Sequence, residues 1–231
     1  MTIYFNLIQP ASGFERDAAR ERAVGPYEDH QWLWRFFPAP VGTRRDFLYR
    51  RLDVEAAPRF YCLSKRAPED VSRVWRIESR EYNPKLRTGD RLRFDLRANP
   101  VITQGGEGKK RRHDVVMQAK KKLLNQHGLE KWAQWVDSNK PTRYELIRTS
   151  CVQWLMMRAG RLGFSVIEDD LAIDGYSQHR GKHERIRFSA VDFSGVLTVT
   201  EPRTFVENAL FTGVGHAKAF GCGLLLVRRV E

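Results

Sequence analysis

The order in which strand-like and helix-like segments follow one another restricts the fold of this chain more than any other feature of its sequence. The opening TIYFNLI alternates as a strand does, and a helical segment follows from Pro26 to Phe37. Pro26 suits the first turn of a helix, and Pro38 ends the helix because proline has no backbone N–H to donate. The segments DFLYRRLD, RFYCLSK and VSRVWRIES then predict three strands, and the polar APED before the last allows a short second helix.

Residues 89–231 repeat this order of elements. They contain a strand at 91–102, a basic polar loop, a helix near 144–159, strands at 163–168 and 186–199, a helix at 202–210 and the final strand GLLLVRR. Each half therefore has the order of a split βαβ unit. We predict an α+β protein with two tandem ferredoxin-like (RRM-like) βαββαβ domains, residues 1–88 and 89–231.

The charge of the chain is distributed unevenly. Its 40 Lys and Arg exceed its 28 Asp and Glu, giving a net charge of +12. Residues 73–122 alone hold fifteen basic and six acidic residues. Arginines that alternate with apolar residues favour a sheet face or groove that meets the phosphates of a nucleic acid, with a solvated surface as the alternative and an acidic membrane surface as a weaker one.

Other classes of protein fit poorly. The sequence has no run of 18 apolar residues and no basic leader, so we expect no membrane span, no secretory signal and a cytoplasmic location. Its three cysteines are far apart, which argues against a disulfide framework and a CxxC zinc site.

The segment PYEDHQWLWRFFP carries a pair of candidate catalytic residues, Tyr27 and His30, which lie three positions apart on one helical face. Metal-free RNA cleavage needs a base for the ribose 2′-OH, an acid for the leaving 5′-oxygen and cations for the phosphorane. A histidine can do either proton transfer near neutral pH. In the alternative interpretation His30 is a core residue, since His30, Leu33, Trp34 and Phe37 have the spacing of a buried stripe. The protein would then be a non-catalytic RNA-binding scaffold subunit. Arg44 and Arg45 follow the helix, and either can reach a phosphate.

Two further segments predict contacts with RNA. Gly213, Gly215, Gly221 and Gly223 surround Lys218 shortly before the last strand, where they let the backbone approach RNA or pack a helix against the sheet. The third glycine of a dinucleotide fingerprint is missing. The run GYSQHRGKHERIRF predicts a basic hairpin that presents Arg180, Lys182, Arg185 and Arg187 to phosphates.

Metal sites are weaker alternatives. His179 and His183 lack an evident third zinc ligand. Glu168, Asp169, Asp170 and Asp174 form an acidic cluster that would suit a two-metal nuclease, whereas a polar turn between strands explains the same residues more simply. We expect no metal and no other cofactor.

Several stretches together strongly resemble the CasE family, the CRISPR repeat-processing endoribonucleases of the type I-E Cascade complex. They are YEDHQWLWRFFP (27–38), RDFLYR (45–50), LRANP (96–100), DFSGVL (192–197) and GVGHAKAFGCGLL (213–225). They occur in order and span nearly the whole chain.

The resemblance implies two ferredoxin-like domains and a metal-independent nuclease that cuts precursor RNA at the 3′ base of each repeat stem-loop. It also implies that the enzyme stays bound to the hairpin beside other Cascade subunits. By motif position His30 corresponds to the catalytic histidine and Tyr27 to the tyrosine that assists it, with either residue as the base. The glycine-rich signature carries over to Gly213, Gly215, Lys218, Gly221 and Gly223. No aromatic RNP-type motif is evident on either predicted sheet, so charge and stem shape are expected to hold the RNA more than base stacking.

Overall fold

The computed structural model describes residues 2–22, 25–55, 57–105, 111–180 and 187–230, apart from the side chain of Arg180. The described strands form two antiparallel sheets and a separate two-stranded hairpin. The elements of the first half are β1 (Tyr4–Pro10), α1 (Glu15–Glu21), α2 (Pro26–Leu33), β2 (Phe47–Val54), β3 (Ala57–Ser64) and β4 (Trp75–Glu81). Those of the second half are β5 (Arg91–Ala98), β6 (Val101–Gln104), β7 (Arg111–Asp114), α3 (Val115–Gln126), α4 (Arg143–Ala159), β8 (Phe164–Val166), β9 (Ala172–Arg180), β10 (Arg187–Val199), α5 (Pro202–Thr204) and β11 (Leu225–Arg229).

The first sheet has the strand order β2-β3-β1-β4. Helix α2 begins at Pro26 and continues as a 3-10 turn over Trp34–Phe36, which confirms the helix predicted between the two prolines. The buried side chains of Trp32 and Leu33 pack with Phe60 and Trp75 from the sheet, so α2 covers one face of the sheet.

The second sheet has the order β11-β5-β10-β8, and β9 also pairs with β10. Strands β8 and β9 pair with consecutive parts of β10 and together fill the place of a single strand, interrupted by the turn Glu168–Asp170. In both sheets the first and third strands of the unit are central, so the prediction of two ferredoxin-like units is confirmed.

The predicted second helix of the first half is wrong. Residues 65–74, which include APED, contain no helix. Pro68 disfavours the helical conformation of Ala67, and this short polar segment has no apolar stripe to bury.

The second half contains more structure than the sequence predicted. The predicted strand at 91–102 is two strands, because Asn99 and Pro100 separate β5 from β6. The predicted basic loop contains the β6–β7 hairpin and the twelve-residue helix α3. Asp114 caps α3 by accepting a hydrogen bond from the Met117 amide (2.8 Å). The run of lysines made this segment look like a polar loop in the sequence, although one face of α3 is apolar and buries Val116 and Leu124.

The two units pack against each other through the sheet face that α2 does not cover. Ile3, Leu48 and Leu63 of the first unit form an apolar cluster with Leu224 of the second. The proposed boundary between domains 1–88 and 89–231 falls in the connection between β4 and β5. No helix among the described residues is long and apolar enough to cross a membrane.

Candidate active site

Helix α2 lies between its own core and the turn Lys218–Phe220 of the glycine-rich segment. The hydroxyl of buried Tyr49 lies 2.9 Å from the carbonyl oxygen of Pro26 and 3.2 Å from that of Ala219. Tyr49 on β2 therefore holds the start of α2 and the glycine-rich segment at one place.

His30 is half-buried at the edge of the apolar stripe of α2. Its ring lies 6.3 Å from the ring of Trp34 and 6.1 Å from that of Phe47. The Nδ1 atom is buried and has no hydrogen-bond partner among the described residues. Burial and the nearby Arg45 guanidinium both lower the pKa of His30, so the imidazole is neutral at pH 7. A purely structural histidine would normally have its buried nitrogen satisfied.

Arg45 is a half-buried cation without a counter-ion among the described residues. Its Nε and Nη1 atoms are buried and make no hydrogen bond, and the neighbouring carboxylate of Asp46 is instead paired with Arg66 at 2.7 Å. Burial lowers the pKa of Arg45. An unpaired buried charge is costly, so a bound anion would stabilise this arrangement.

Lys218 brings a second cation to the same place. Its Nζ donates a hydrogen bond to the carbonyl oxygen of Thr212 (2.7 Å), and burial together with Arg45 lowers its pKa. Lys218 and Arg45 line one cavity of about 650 Å³. Arg45 thus lies near both His30, from the same part of the sequence, and Lys218, from a distant part.

Tyr27 lies one turn before His30 and is 39% exposed. Its ring centroid is 6.3 Å from that of Phe220. Phe220 stacks on Phe188 (4.8 Å) and Phe188 on His179 (4.7 Å). This aromatic row joins the base of the β9–β10 hairpin to the candidate catalytic helix, and the sequence offered no periodic signal for it.

The four glycines of the signature all have left-handed backbone conformations. A Cβ atom at Gly213 would lie 2.7 Å from Leu48 Cδ1, and one at Gly221 would lie 3.2 Å from the ring of Tyr49. At Gly223 it would lie 2.9 Å from the carbonyl oxygen of Val214, and at Gly215 3.2 Å from Trp154. These contacts give the glycines a packing role, and direct contact of their backbone with RNA stays a prediction.

The predicted basic hairpin consists of β9 and β10, in which Arg180 and Arg187 are register partners. Arg187 is exposed. Lys182 and Arg185 lie outside the described residues, as does His183, so their predicted roles stay predictions.

The acidic cluster lies in and after the turn between β8 and β9. Glu168 pairs with Arg148 at 3.2 Å, Asp169 and Asp170 complete the turn, and Asp174 lies on β9.

The chain is thus a protein of two tandem ferredoxin-like domains with a half-buried histidine and two basic residues near the place where the domains meet. The model of a family described as CRISPR associated protein matches residues 7–229. The chain therefore belongs to this family, and its similarities are to the CasE and Cse3 proteins.

Two curated relatives and one solved structure illustrate this similarity. "CRISPR system Cascade subunit CasE" of Escherichia coli (strain K12) is 26% identical over 203 residues, which cover 86% of this chain and 89% of the relative. "CRISPR-associated endoribonuclease Cse3" of Thermus thermophilus is 29% identical over 243 residues, covering 96% of each chain. The structure of a CRISPR endoribonuclease Cse3 bound to 19 nt RNA has a TM-score of 0.68 at 25% identity and covers 99% of this chain and 100% of that chain.

Proposed function

We propose that this protein is an endoribonuclease that cuts CRISPR precursor RNA at the 3′ base of the repeat stem-loop. The observation that carries the proposal is the neutral, half-buried His30 beside the half-buried Arg45, whose buried Nε and Nη1 atoms have no partner among the described residues. A phosphodiester would supply the missing anion. The names of the relatives support the activity, since one is an endoribonuclease and a related structure contains RNA.

The chemistry that fits these residues is attack of the ribose 2′-OH on the adjacent phosphorus. His30 takes the proton of the 2′-OH, the 2′-oxygen forms a bond to phosphorus, and the bond from phosphorus to the 5′-oxygen breaks. Tyr27 supplies a proton to the leaving oxygen. The products are a 2′,3′-cyclic phosphate and a 5′-OH. His30 suits the role of base because its lowered pKa leaves the imidazole neutral; the opposite assignment of the two proton transfers is tested by the pH dependence below.

Arg45 and Lys218 stabilise the negative charge of the phosphorane. Both are already partly desolvated, and the hydrogen bond to Thr212 holds Lys218 in place, so little reorganisation is needed when the charge develops. The β9–β10 hairpin holds the stem through phosphate contacts that include Arg187. After cleavage the protein stays on its hairpin as a Cascade subunit in the cytoplasm, in keeping with the name of the Escherichia coli relative.

Cleavage is expected to proceed in excess EDTA and to stop when the scissile nucleotide carries a 2′-deoxy ribose. The physical reason is that the proposed nucleophile is the 2′-OH and the charge-stabilising groups are side chains. The measurement is gel analysis of a repeat stem-loop RNA with identification of the cyclic phosphate. Cleavage only with Mg²⁺ would contradict the proposal and direct attention to Asp169, Asp170 and Asp174. Tight binding with no cleavage in either condition would favour a non-catalytic scaffold.

Arg45→Ala is expected to lower the single-turnover cleavage rate by about 10²- to 10³-fold, the cost typical of removing one charge-stabilising group. Arg44→Ala provides the matched control, because Arg44 is the exposed neighbour and removes the same charge. Equal losses in the two variants would show that only the general positive charge matters.

The pH dependence of cleavage reports the role of His30. With His30 as the base, the rate rises with pH and levels off above a pKa that lies below the ordinary value of about 6.5. In Arg45→Ala the repulsion between two positive charges is lost, so the pKa of His30 rises, which NMR titration of the free protein measures. A cleavage rate that falls as pH rises through this range would instead make His30 the acid.

A further inference from the structure

Each sheet has one face that its own helices leave uncovered, and these two faces are turned towards each other. On the first sheet, this face carries Phe5 on β1 and Tyr61 on β3, the two central strands. Their ring centroids are 6.1 Å apart, and the ring of Tyr82 is 5.5 Å from that of Phe5. All three aromatic side chains are only partly buried. The sequence shows no RNP-type aromatic motif, and the pairing of Phe5 with Tyr61 is not evident in it because the two residues are 56 positions apart.

A cavity of about 300 Å³ lies at these rings between the two units. Phe5, Tyr61 and Arg80 line it from the first unit, and Asp95 and Leu226 from the second. Leu63 lines both this cavity and the one at Arg45, so the two cavities adjoin each other at the apolar cluster. We call this space the intersheet cleft.

Arg80 lines the intersheet cleft, and four further arginines lie on the two open sheet faces that border it. Strand register places Arg59 and Arg80 on the open face of the first sheet, and Arg91, Arg93 and Arg228 on that of the second. None of these five makes an ion pair with a carboxylate among the described residues. The Arg80 guanidinium lies 5.6 Å from the centre of the Phe5 ring.

The carboxylates nearby balance little of this charge. Glu78 accepts a hydrogen bond from Gln9 (3.0 Å) and forms an ion pair with Arg76 (3.3 Å). Asp192 pairs with Arg50 at 3.4 Å. Among the described residues that line the cavity, Asp95 is the one acidic residue. The cleft therefore combines a positive field with exposed ring edges and faces.

We propose that the intersheet cleft binds single-stranded RNA, with a base against Phe5 and Tyr61 and the neighbouring phosphates on the five arginines. Aromatic rings beside a track of unpaired arginines suit single strands of any sequence, because every base has a stacking face and every nucleotide a phosphate. Phe5, Tyr61 and Arg80 line this cleft, whereas Arg45 and Lys218 line the neighbouring cavity, so the site adjoins the proposed cleavage site without sharing its cations.

The test uses the full chain and a fluorescein-labelled uridine decamer, which contains no hairpin and so does not depend on cleavage. Arg80→Glu with Arg93→Glu is expected to weaken binding of the decamer at least about tenfold, by fluorescence anisotropy at two salt concentrations. The control is Arg16→Glu with Arg20→Glu, which makes the same charge change at exposed positions on α1 and retains binding. Equal losses in the two double variants overturn the proposal.

The position of the RNA is tested separately by photocrosslinking a 4-thiouridine decamer to the wild-type protein. Crosslinks on peptides that contain Phe5 or Tyr61 are expected, and crosslinks confined to α2 or the β9–β10 hairpin overturn the proposal. Tyr61→Leu, which keeps an apolar side chain, is expected to lose these crosslinks while its melting temperature shows a folded protein. A wild-type protein that does not bind the decamer also overturns the proposal and leaves the arginines to an acidic protein surface, whatever the outcome of hairpin cleavage.

Discussion

His30→Ala is expected to abolish most RNA cleavage, with a loss of roughly 10²- to 10⁴-fold in the single-turnover rate. The reason is that the imidazole beside Arg45 has a lowered pKa and can take a proton from the 2′-OH near pH 7. Affinity for the repeat hairpin is expected to stay close to that of the wild type, because His30 is one half-buried group and the hairpin contacts lie elsewhere. Cleavage is measured in single-turnover assays and affinity by fluorescence anisotropy.

The matched control for this variant is His127→Ala. The ring of His127 packs against that of Trp135, 4.1 Å away, after helix α3 and makes no described contact with His30, Arg45 or Lys218. Its cleavage rate is expected to match that of the wild type. A His30→Ala protein that fails to fold would instead support the core interpretation of this residue. His30→Gln, which keeps a polar side chain of similar size, then separates folding from catalysis by its melting temperature and its rate.

Gly213→Ala is expected to destabilise the fold by about 2–5 kcal/mol, combining the cost of a left-handed alanine with that of overpacking. The backbone φ at Gly213 is +80°, and the new Cβ would lie 2.7 Å from Leu48 Cδ1 and 2.9 Å from the carbonyl oxygen of Gly223. For a chain of this size, the expected fall in Tm is about 5–15 °C. Thermal unfolding monitored by circular dichroism provides the measurement.

Gly128→Ala isolates the conformational part of this cost. Gly128 also has a left-handed φ of +65°, but a Cβ there would meet no atom within 4 Å. Its expected cost is therefore only about 1–2 kcal/mol. Similar melting temperatures for the two variants would show that the contact between Gly213 and β2 does not hold the units together, leaving RNA contact as the reason for the glycine.

The sequence was informative wherever the signal is local. The alternation of RLRFDLRA places Leu92, Phe94 and Leu96 on one face of β5, as the structure shows. The prolines at positions 26 and 38 bracket α2 because their effect on backbone geometry depends only on immediate neighbours. Local signals failed at APED and at the lysine-rich α3, where polar composition did not correspond to one backbone conformation.

The choice between a catalytic and a core His30 shows where local reasoning ends. The spacing of Tyr27 and His30 allowed a shared function, and the spacing of His30, Leu33, Trp34 and Phe37 equally allowed a buried stripe. Both descriptions apply in part: Leu33 and Phe37 are in the core, while His30 lies at its edge. Only the tertiary structure shows that the buried Nδ1 has no partner among the described residues and lies beside an unpaired guanidinium.

The sequence by itself determined helix α2, most strands of the two sheets, the basic character of the chain and the residues that resemble the family. Tertiary structure alone decided that Lys218 joins Arg45 at one cavity, and that Phe5 meets Tyr61 across the central strands of the first sheet. The physical reason is that helix and strand periodicity depends on neighbouring residues. Burial, pKa shifts and unpaired charges depend instead on strand register and domain packing, which join residues far apart in the chain.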